Sequence, residues 1–323
     1  MKQMFFSEAI RDGIRNEMLR NEDVFVIGED VGIFGGSFGA TAGLYDEFGR
    51  DRVLDTPISE IAIVGLSAGA ASTGMIPVAE LMYNDFMGCA MDQIMNQAAK
   101  FRYMYGGRMK VPMTLRMACG GGAQCAAQHS QSLEAMLVHI PGLKVVYPST
   151  PNDALGLMIS SIRDENPVMF FEHQMLYGTK GDVMENYQPI PLGKGDIKRE
   201  GKDVTLVATG MCVTKALNAA EELIKEGISV EVIDPRTLYP LDKEMIYNSV
   251  GKTGKLVIVT EEHKRGAWSG ELAAMVTEDI FGSLKSKIVR VGSLNVPMPF
   301  TMNLEEYVMP QVNDIIKAVK SIA

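Results

Sequence analysis

The sequence predicts an α/β protein of two domains, each built on a parallel sheet covered by helices on both faces. Short apolar runs alternate along the chain with segments of helical periodicity. The alternation lapses between Leu176 and Gly201, where Gly, Pro, Lys, Asp and Asn dominate, and then resumes. At 323 residues the chain is long enough for two cores. The expected division is a first domain over residues 1–185, a linker over 186–202 and a second domain over 203–323.

In the first domain, Ala9, Ile10, Ile14 and Met18 recur at helical spacing within Phe6–Leu19. Val24–Ile27 reads as a buried strand that stops at Gly28-Glu29-Asp30-Val31-Gly32, and the glycine-rich stretch Gly32–Gly43 as a flexible loop. Pro57 excludes a helix around itself, and Ser59 is placed to cap one running through Ile61 to Gly74. Val78–Met82 is a strand, Ala90–Tyr103 a helix, and Val111–Met117 a strand that precedes Gly120-Gly121-Gly122. Leu133–His139 is helical, Leu143–Val146 a strand, Asp153–Arg163 a helix and Val168–Phe171 a strand. In the second domain, Val204–Ala208 is a strand and Val213–Glu226 a helix closed by Gly227. Ile228–Ile233, Leu256–Thr260 and Ile288–Val291 are further strands, and Trp268–Ile280 and Met309–Ile322 further helices.

Composition narrows function by exclusion. The formal charge is −9 with both signs interspersed, and no Lys/Arg block of the nucleic-acid type occurs. Met1–Arg20 mixes charges into a helical pattern and lacks the apolar core of a signal peptide. No apolar run reaches the roughly 18 residues of a membrane span. A cytoplasmic protein without nucleic-acid or membrane partners is therefore expected. Cys89, Cys119, Cys125 and Cys212 form no C-x-x-C pair and read as buried free thiols.

Three segments place reactive side chains where chemistry uses them. Glu29 lies in a Gly-bounded turn after a strand, and ligands of open α/β sheets bind beyond the carboxyl ends of strands. Glu60, at the end of Asp55-Thr56-Pro57-Ile58-Ser59-Glu60, sits near a helix N-terminus, where the macrodipole favours a carboxylate whatever its function. His129 follows a glycine-rich loop, and Gln128, Ser130 and Gln131 beside it can orient an imidazole. His139, His173 and His263 have no such setting and read as structural.

Taken together and in this order, the segments resemble the β subunit of the thiamine-diphosphate-dependent first component of 2-oxo acid dehydrogenase complexes. The likeness covers essentially the whole chain and includes Asp92-Gln93-Ile94, Ala99-Lys100-Phe101-Arg102-Tyr103, Pro141-Gly142-Leu143-Lys144-Val145-Val146, Pro148-Ser149-Thr150-Pro151 and Asp234-Pro235-Arg236-Thr237. The stretches Ala79–Gly88 and Phe101–Gly107 look most like acetoin dehydrogenases. Met87-Gly88-Cys89-Ala90 stands where pyruvate and branched-chain enzymes more often carry an aromatic-Pro-Ala sequence, so those substrates come second.

The resemblance implies a transketolase-like pyrimidine-binding domain followed by a transketolase C-terminal-like domain. It makes Glu60 the carboxylate hydrogen-bonded to N1′ of the cofactor's aminopyrimidine, so that the 4′-imino nitrogen can remove the C2 proton. Phe86 then packs on the aminopyrimidine face, His129 exchanges protons with the small-molecule substrate, and Glu29 ends a proton relay between paired sites. Asp164, Asn166, the carbonyls of Ser161 and Ile162, and Met113 are the implied holders of a monovalent cation, commonly K⁺, whose preference is for oxygen donors.

In this superfamily a Gly-Asp-Gly motif holds the Mg²⁺ that anchors the diphosphate, and this chain has none. The expected assembly is an α2β2 heterotetramer in which a separate α subunit supplies the Mg²⁺-diphosphate half. It would cleave acetoin and pass the two-carbon unit to a lipoyl group on a dihydrolipoyl acyltransferase. Two readings from other classes stand beside this one. A self-contained NAD-binding dehydrogenase is disfavoured because no G-x-G-x-x-G lies between a strand and a helix. A non-catalytic scaffold subunit is disfavoured by the intact Glu60 and His129.

Overall fold

The computed structural model describes residues 1–323, which divide into two compact units: residues 1–119 with 136–192, and residues 120–135 with 193–323. The first unit begins with β1 (Lys2–Phe5), α1 (Phe6–Arg20), β2 (Val24–Gly28), α2 (Leu44–Phe48), β3 (Val53–Asp55), α3 (Glu60–Ser72) and β4 (Ile76–Tyr83). A 3₁₀ segment (Asn84–Ala90), a π segment (Gln93–Ala98), α4 (Ala99–Met104) and β5 (Thr114–Cys119) follow. After α5 (Glu134–Val138) come β6 (Lys144–Val146), α6 (Pro151–Ile162), β7 (Val168–His173) and β8 (Lys180–Val183).

Six of these strands form a parallel array in the order β6-β7-β5-β4-β2-β3. β8 instead pairs antiparallel with β1. Every residue of β2, β5 and β7 is buried, which is why these strands read as near-continuous apolar runs. The chain leaves β2 for β3 on one side and then crosses to β4 on the other. That reversal opens a crevice at the carboxyl ends of β2 and β4, where sheets of this kind take ligands.

The buried strands carry one set of charges. Arg116 on β5 donates through Nε and Nη2 to both oxygens of Glu172 on β7, at 2.7 and 2.8 Å, and through Nη1 to Glu80 on β4 at 2.5 Å. Tyr177 Oη donates to Glu172 at 2.7 Å. Burial pushes Glu80 above the ordinary carboxylate range even though Arg116 pulls it down. Burial likewise raises Tyr177, reinforced by Glu172.

The second unit contains β9 (Asp196–Arg199), β10 (Val204–Ala208), α7 (Met211–Lys225), β11 (Val230–Asp234), β12 (Thr237–Tyr239), α8 (Lys243–Thr253), β13 (Leu256–His263), α9 (Trp268–Ile280), β14 (Val289–Ser293), α10 (Met302–Val308) and α11 (Val312–Lys320). Its sheet runs β14-β13-β10-β11-β9. All neighbours are parallel except β9, which is antiparallel to β11. Leu206, Val232 and Val257 from the strands join Ala216 and Leu223 of α7 and Ile315 and Val319 of α11 in one apolar core.

Several sequence expectations change. The segment 186–202, read as a linker, carries β9, whose alternating charges suit a half-buried edge strand and hide its pairing. The helix expected over Ala90–Tyr103 winds in three ways. Asp92 takes Asn96 Nδ2 at 2.7 Å and Gln97 Nε2 at 3.4 Å, and Ala99 N donates back to Ile94 O, five residues away, as a π turn requires. The terminal helix expected over Met309–Ile322 begins only at Val312, after Pro310, and a separate helix that was not expected, α10, precedes it. Gly32–Gly43 is a run of turns closed on itself: Gly36 N donates to Asp30 O at 2.8 Å, and Thr41 Oγ1 to Val31 O at 2.9 Å. Of the four thiols read as buried, Cys119 and Cys212 are, while Cys89 is exposed and Cys125 half-buried. No helix is long and apolar enough to cross a membrane.

Arg116→Met leaves two carboxylates facing each other without their shared cation. The expected loss is about 3–5 kcal/mol of stability, read as the urea midpoint of the purified chain. An unchanged midpoint would mean the network contributes nothing to the fold.

Candidate active site

The loops after β2 and β3 are tied together by hydrogen bonds. Thr56 N donates to Gly28 O at 2.9 Å, and Gly32 N donates to Asp55 Oδ1 at 2.7 Å. A Cβ at Gly28 would lie 2.9 Å from Glu80 O, and one at Gly32 2.3 Å from Asp55 Oδ2, so both close approaches require glycine. Asp30 adopts φ 56°, the left-handed conformation that turns the chain back after Glu29.

Glu60 is the first residue of α3 and is half-buried. Its carboxylate has no hydrogen bond and no ion pair. Ser59 occupies the cap position, but its side chain makes no capping bond; its carbonyl accepts from Ala62 N and Ile63 N at 3.0 Å. Pro57 and the tie from Thr56 to Gly28 hold the turn in place of a side-chain cap. Glu29 is also half-buried, and its carboxyl is pushed above the ordinary range by burial first, then by the negative charges of Asp30 and Glu60. Glu29 and Glu60 therefore sense each other across the crevice. The hydroxyl of Thr56, in the same turn, is buried without a partner.

α3 packs against the 3₁₀ segment that carries Phe86. Phe86 is half-buried and meets Tyr83 edge-on at 6.1 Å between ring centroids. Tyr83 in turn meets Phe38 edge-on at 5.6 Å, and Phe38 stacks on Tyr177 at 4.5 Å and 13°. Sequence reasoning missed Phe38, Tyr83 and Tyr177. An aromatic inside a glycine-rich loop was the one available signal, and it carries no partner information. A free carboxylate, an aromatic ring and an unpartnered hydroxyl on adjoining turns fit a flat heterocycle that presents a hydrogen-bonding ring nitrogen.

His129 lies in the second unit, on the loop Gly120–Ala135. The loop holds two non-glycine residues in the left-handed region, Gln124 at φ 57° and Ala126 at φ 60°. Such strain persists only where the surroundings enforce it. Here they do: Glu261 accepts from Gly121 N at 2.6 Å, Glu305 from Gly122 N at 2.7 Å and Gln124 N at 3.1 Å, and Glu262 from Ala135 N at 2.9 Å. Gly120 N closes the loop on Gln131 O at 3.0 Å. Ser130, next to His129, is buried with its hydroxyl unpartnered. These carboxylates were also missed, because nothing local marks Glu261 and Glu262 near the end of an apolar strand, or Glu305 on a short helix, as loop anchors.

The residues implied as cation ligands are mostly engaged. Lys144 pairs with Asp164, and Asp164 Oδ1 accepts from Asn166 N and Nδ2 at 2.9 Å. Arg102 Nη1 donates to Asn166 Oδ1 at 2.8 Å. Ser161 O accepts from Asp164 N, and Met113 O from Val168 N. As arranged, protein cations already meet the side-chain oxygens, so Asp164 and Asn166 do not fit as open ligands. Among the other histidines, His139 is exposed, buried His173 accepts Met175 N through Nδ1 at 3.2 Å, and His263 Nδ1 lies 2.7 Å from Leu294 O.

Comparison with known proteins places the chain in a family. Residues 2–180 match the transketolase pyrimidine-binding domain and residues 193–315 the transketolase C-terminal domain. The acetoin:2,6-dichlorophenolindophenol oxidoreductase β subunit of Bacillus subtilis (strain 168) is 48% identical, over 96% of this chain and 94% of that one. The 2-oxoisovalerate dehydrogenase β subunit of the same organism is 46% identical over 100% and 99%, and the pyruvate dehydrogenase E1 β subunit of Rhizobium meliloti (strain 1021) 45% identical over 100% and 70%. Among solved structures, one described as a split-gene transketolase in an inactive β4 tetramer superposes with a TM-score of 0.81 at 25% identity, covering 98% of this chain and 97% of that one.

The chain belongs to the transketolase-type family of dehydrogenase E1 β subunits. Its relatives are thiamine-diphosphate-dependent oxidoreductase subunits, and their being β subunits implies an α-subunit partner.

The pairing of Glu29 with Glu60 can be checked directly. Glu60→Gln removes a negative charge that raises Glu29, so the Glu29 carboxyl should titrate at lower pH in ¹³C NMR of the chain. An unmoved Glu29 titration would show that the two carboxyls do not interact.

Proposed function

We propose that this chain is the β subunit of a thiamine-diphosphate-dependent acetoin dehydrogenase, which cleaves acetoin and passes the two-carbon unit to the lipoyl group of a dihydrolipoyl acyltransferase. The observation that carries the reading is Glu60: a half-buried carboxylate without a protein partner, heading the helix that packs against Phe86 at the switch point of the sheet. When bound, thiamine diphosphate supplies the carbanion chemistry. Glu60 holds a proton at the aminopyrimidine N1′, and Phe86 packs on the ring face. Glu29, already pushed towards its protonated form, takes up or returns a proton beside Glu60. His129 exchanges a proton with the substrate oxygen.

The diphosphate and its Mg²⁺ belong to the α subunit of an α2β2 assembly in this reading. The solved relative described as an inactive β-only tetramer is what a chain with half a site would look like. Acetoin is favoured by the segment Met87–Ala90 and by acetoin-type relatives at 48% and 47% identity. No step is assigned to a potassium ion, since Lys144 and Arg102 occupy Asp164 and Asn166.

The test is activity of the purified chain, alone and mixed with its α subunit, on acetoin, pyruvate and a branched-chain 2-oxo acid with an artificial electron acceptor. Activity should appear only in the mixture and be greatest on acetoin. Glu60→Gln should lower kcat about 10²–10⁴-fold with the fold intact. Preference for pyruvate would overturn the substrate, full activity of the chain alone the split site, and an unaffected Glu60→Gln complex the catalytic role.

A further inference from the structure

We propose that Glu305 is a positioning residue: its side chain fills a nest of backbone N–H groups in the loop 120–131 and so holds that loop, with His129 on it, in the conformation used for proton exchange. The effect on catalysis rests on the reading of His129 as a proton-exchanging residue.

The loop starts and ends at one point, where Gly120 N donates to Gln131 O at 3.0 Å. Left-handed residues recur at every second position along its first half: Gly120 at φ 82°, Gly122 at 101°, Gln124 at 57° and Ala126 at 60°. A chain that keeps returning to this region turns N–H groups towards a common centre, as in the concavities that bind anions. Glu305 of α10 occupies the centre. Its Oε1 accepts Gly122 N at 2.7 Å and its Oε2 accepts Gln124 N at 3.1 Å. Glu305 is 1% exposed and in no ion pair, so these two N–H groups offset the hydration its carboxyl group has lost.

The wall behind Glu305 is itself tied down. Glu305 N donates to Thr301 O at 2.9 Å, Met309 N donates to Glu305 O at 3.1 Å, and Leu294 N, just after β14, donates to Val308 O at 3.0 Å. Gly121 lies against the same wall: a Cβ there would stand 2.7 Å from Met309 Sδ, 3.1 Å from Met298 Cε and 3.3 Å from Glu305 Oε1. Side chains on Gln124 and Ala126 disfavour the left-handed region, and such residues stay in it only while their surroundings hold them. Without the two bonds to Glu305 the loop relaxes, and His129, between Ala126 and the closure at Gln131, moves with it.

The experiment measures kcat, substrate KM and amide hydrogen exchange across residues 120–135 in the assembled α and β complex. Wild type is compared with Glu305→Gln and with Glu305→Gln combined with Gln124→Gly. Glutamine keeps one acceptor and sets an NH2 group against the other N–H. Glycine takes a left-handed φ freely and so removes part of the strain that Glu305 offsets. Glu305→Gln should lose protection across the loop and about 10–100-fold in kcat, with KM little changed. Adding Gln124→Gly should restore kcat about fivefold. In a His129→Ala background, Glu305→Gln should lower kcat no further, because both changes remove the same function. Glu305→Asp, which keeps both acceptors on a shorter stem, should show the same changes to a smaller degree and serves if glutamine prevents folding. Wild-type protection and kcat in both Glu305 variants overturn the proposal. So does a double variant no better than Glu305→Gln, or a kcat loss that adds in full to that of His129→Ala. Loss of protection with kcat unchanged, alongside a fully active His129→Ala, leaves the clamp standing and overturns the reading of His129.

Discussion

The guanidinium of Arg116 lies 1% exposed between carboxylates on the two neighbouring strands, and much of the first unit's crevice depends on that arrangement. Charges at this depth persist only when paired and hydrogen-bonded, so Arg116, Glu80 and Glu172 fix the spacing and register of β4, β5 and β7 around them. The consequence reaches upward. Glu172 holds the hydroxyl of Tyr177, Tyr177 takes the flat face of Phe38, and Phe38 sets Tyr83 against Phe86. Gly36 passes close above Glu80, where a Cβ would lie 3.3 Å from its Oε1. An ion network inside the sheet thus determines where an aromatic ring stands at the mouth of the crevice.

The second unit meets a similar difficulty with different means. Its loop 120–135 is held by the acidic side chains Glu261, Glu262 and Glu305, which accept hydrogen bonds from loop N–H groups. Backbone N–H groups supply the compensation the structure shows, and burial still raises the Glu262 carboxyl to about 7. Amide donors are fixed by the chain, so the loop is held by groups that cannot leave.

What could be read from the sequence follows burial. β2, β10 and β13 are buried along nearly their whole length and announce themselves as apolar runs. β8 and β9 are short, polar and paired antiparallel to distant strands, so no local pattern marks them. The π segment after Asp92 looks helical because its apolar spacing barely differs from that of an α-helix. Glu29, Glu60, Phe86 and His129, the residues proposed to act in chemistry, stand out in the sequence because of the strand ends, turns and order of segments around them. Their supports do not. Glu305 reaches Gln124 across 181 residues of chain and Glu262 reaches Ala135 across 127, separations over which composition and periodicity carry no information.

Several exposed apolar side chains lie near Glu29 and Glu60 in the sequence. Ile58, on the turn leading into α3, is 75% exposed, and Ile33 and Phe34, on the loop after Glu29, are 83% and 71% exposed. Ile61 and Leu66 leave α3 apolar on its outer side as well as its inner one, and a helix apolar all round belongs in an interior. Exposed apolar side chains such as these gain by being covered. A partner that covered them would also take water from Glu29, and desolvation raises a carboxyl that burial and its neighbours have already begun to raise. Assembly with an α subunit that covered this surface would shift the Glu29 carboxyl further towards its protonated form, so that the isolated chain holds Glu29 only part of the way there.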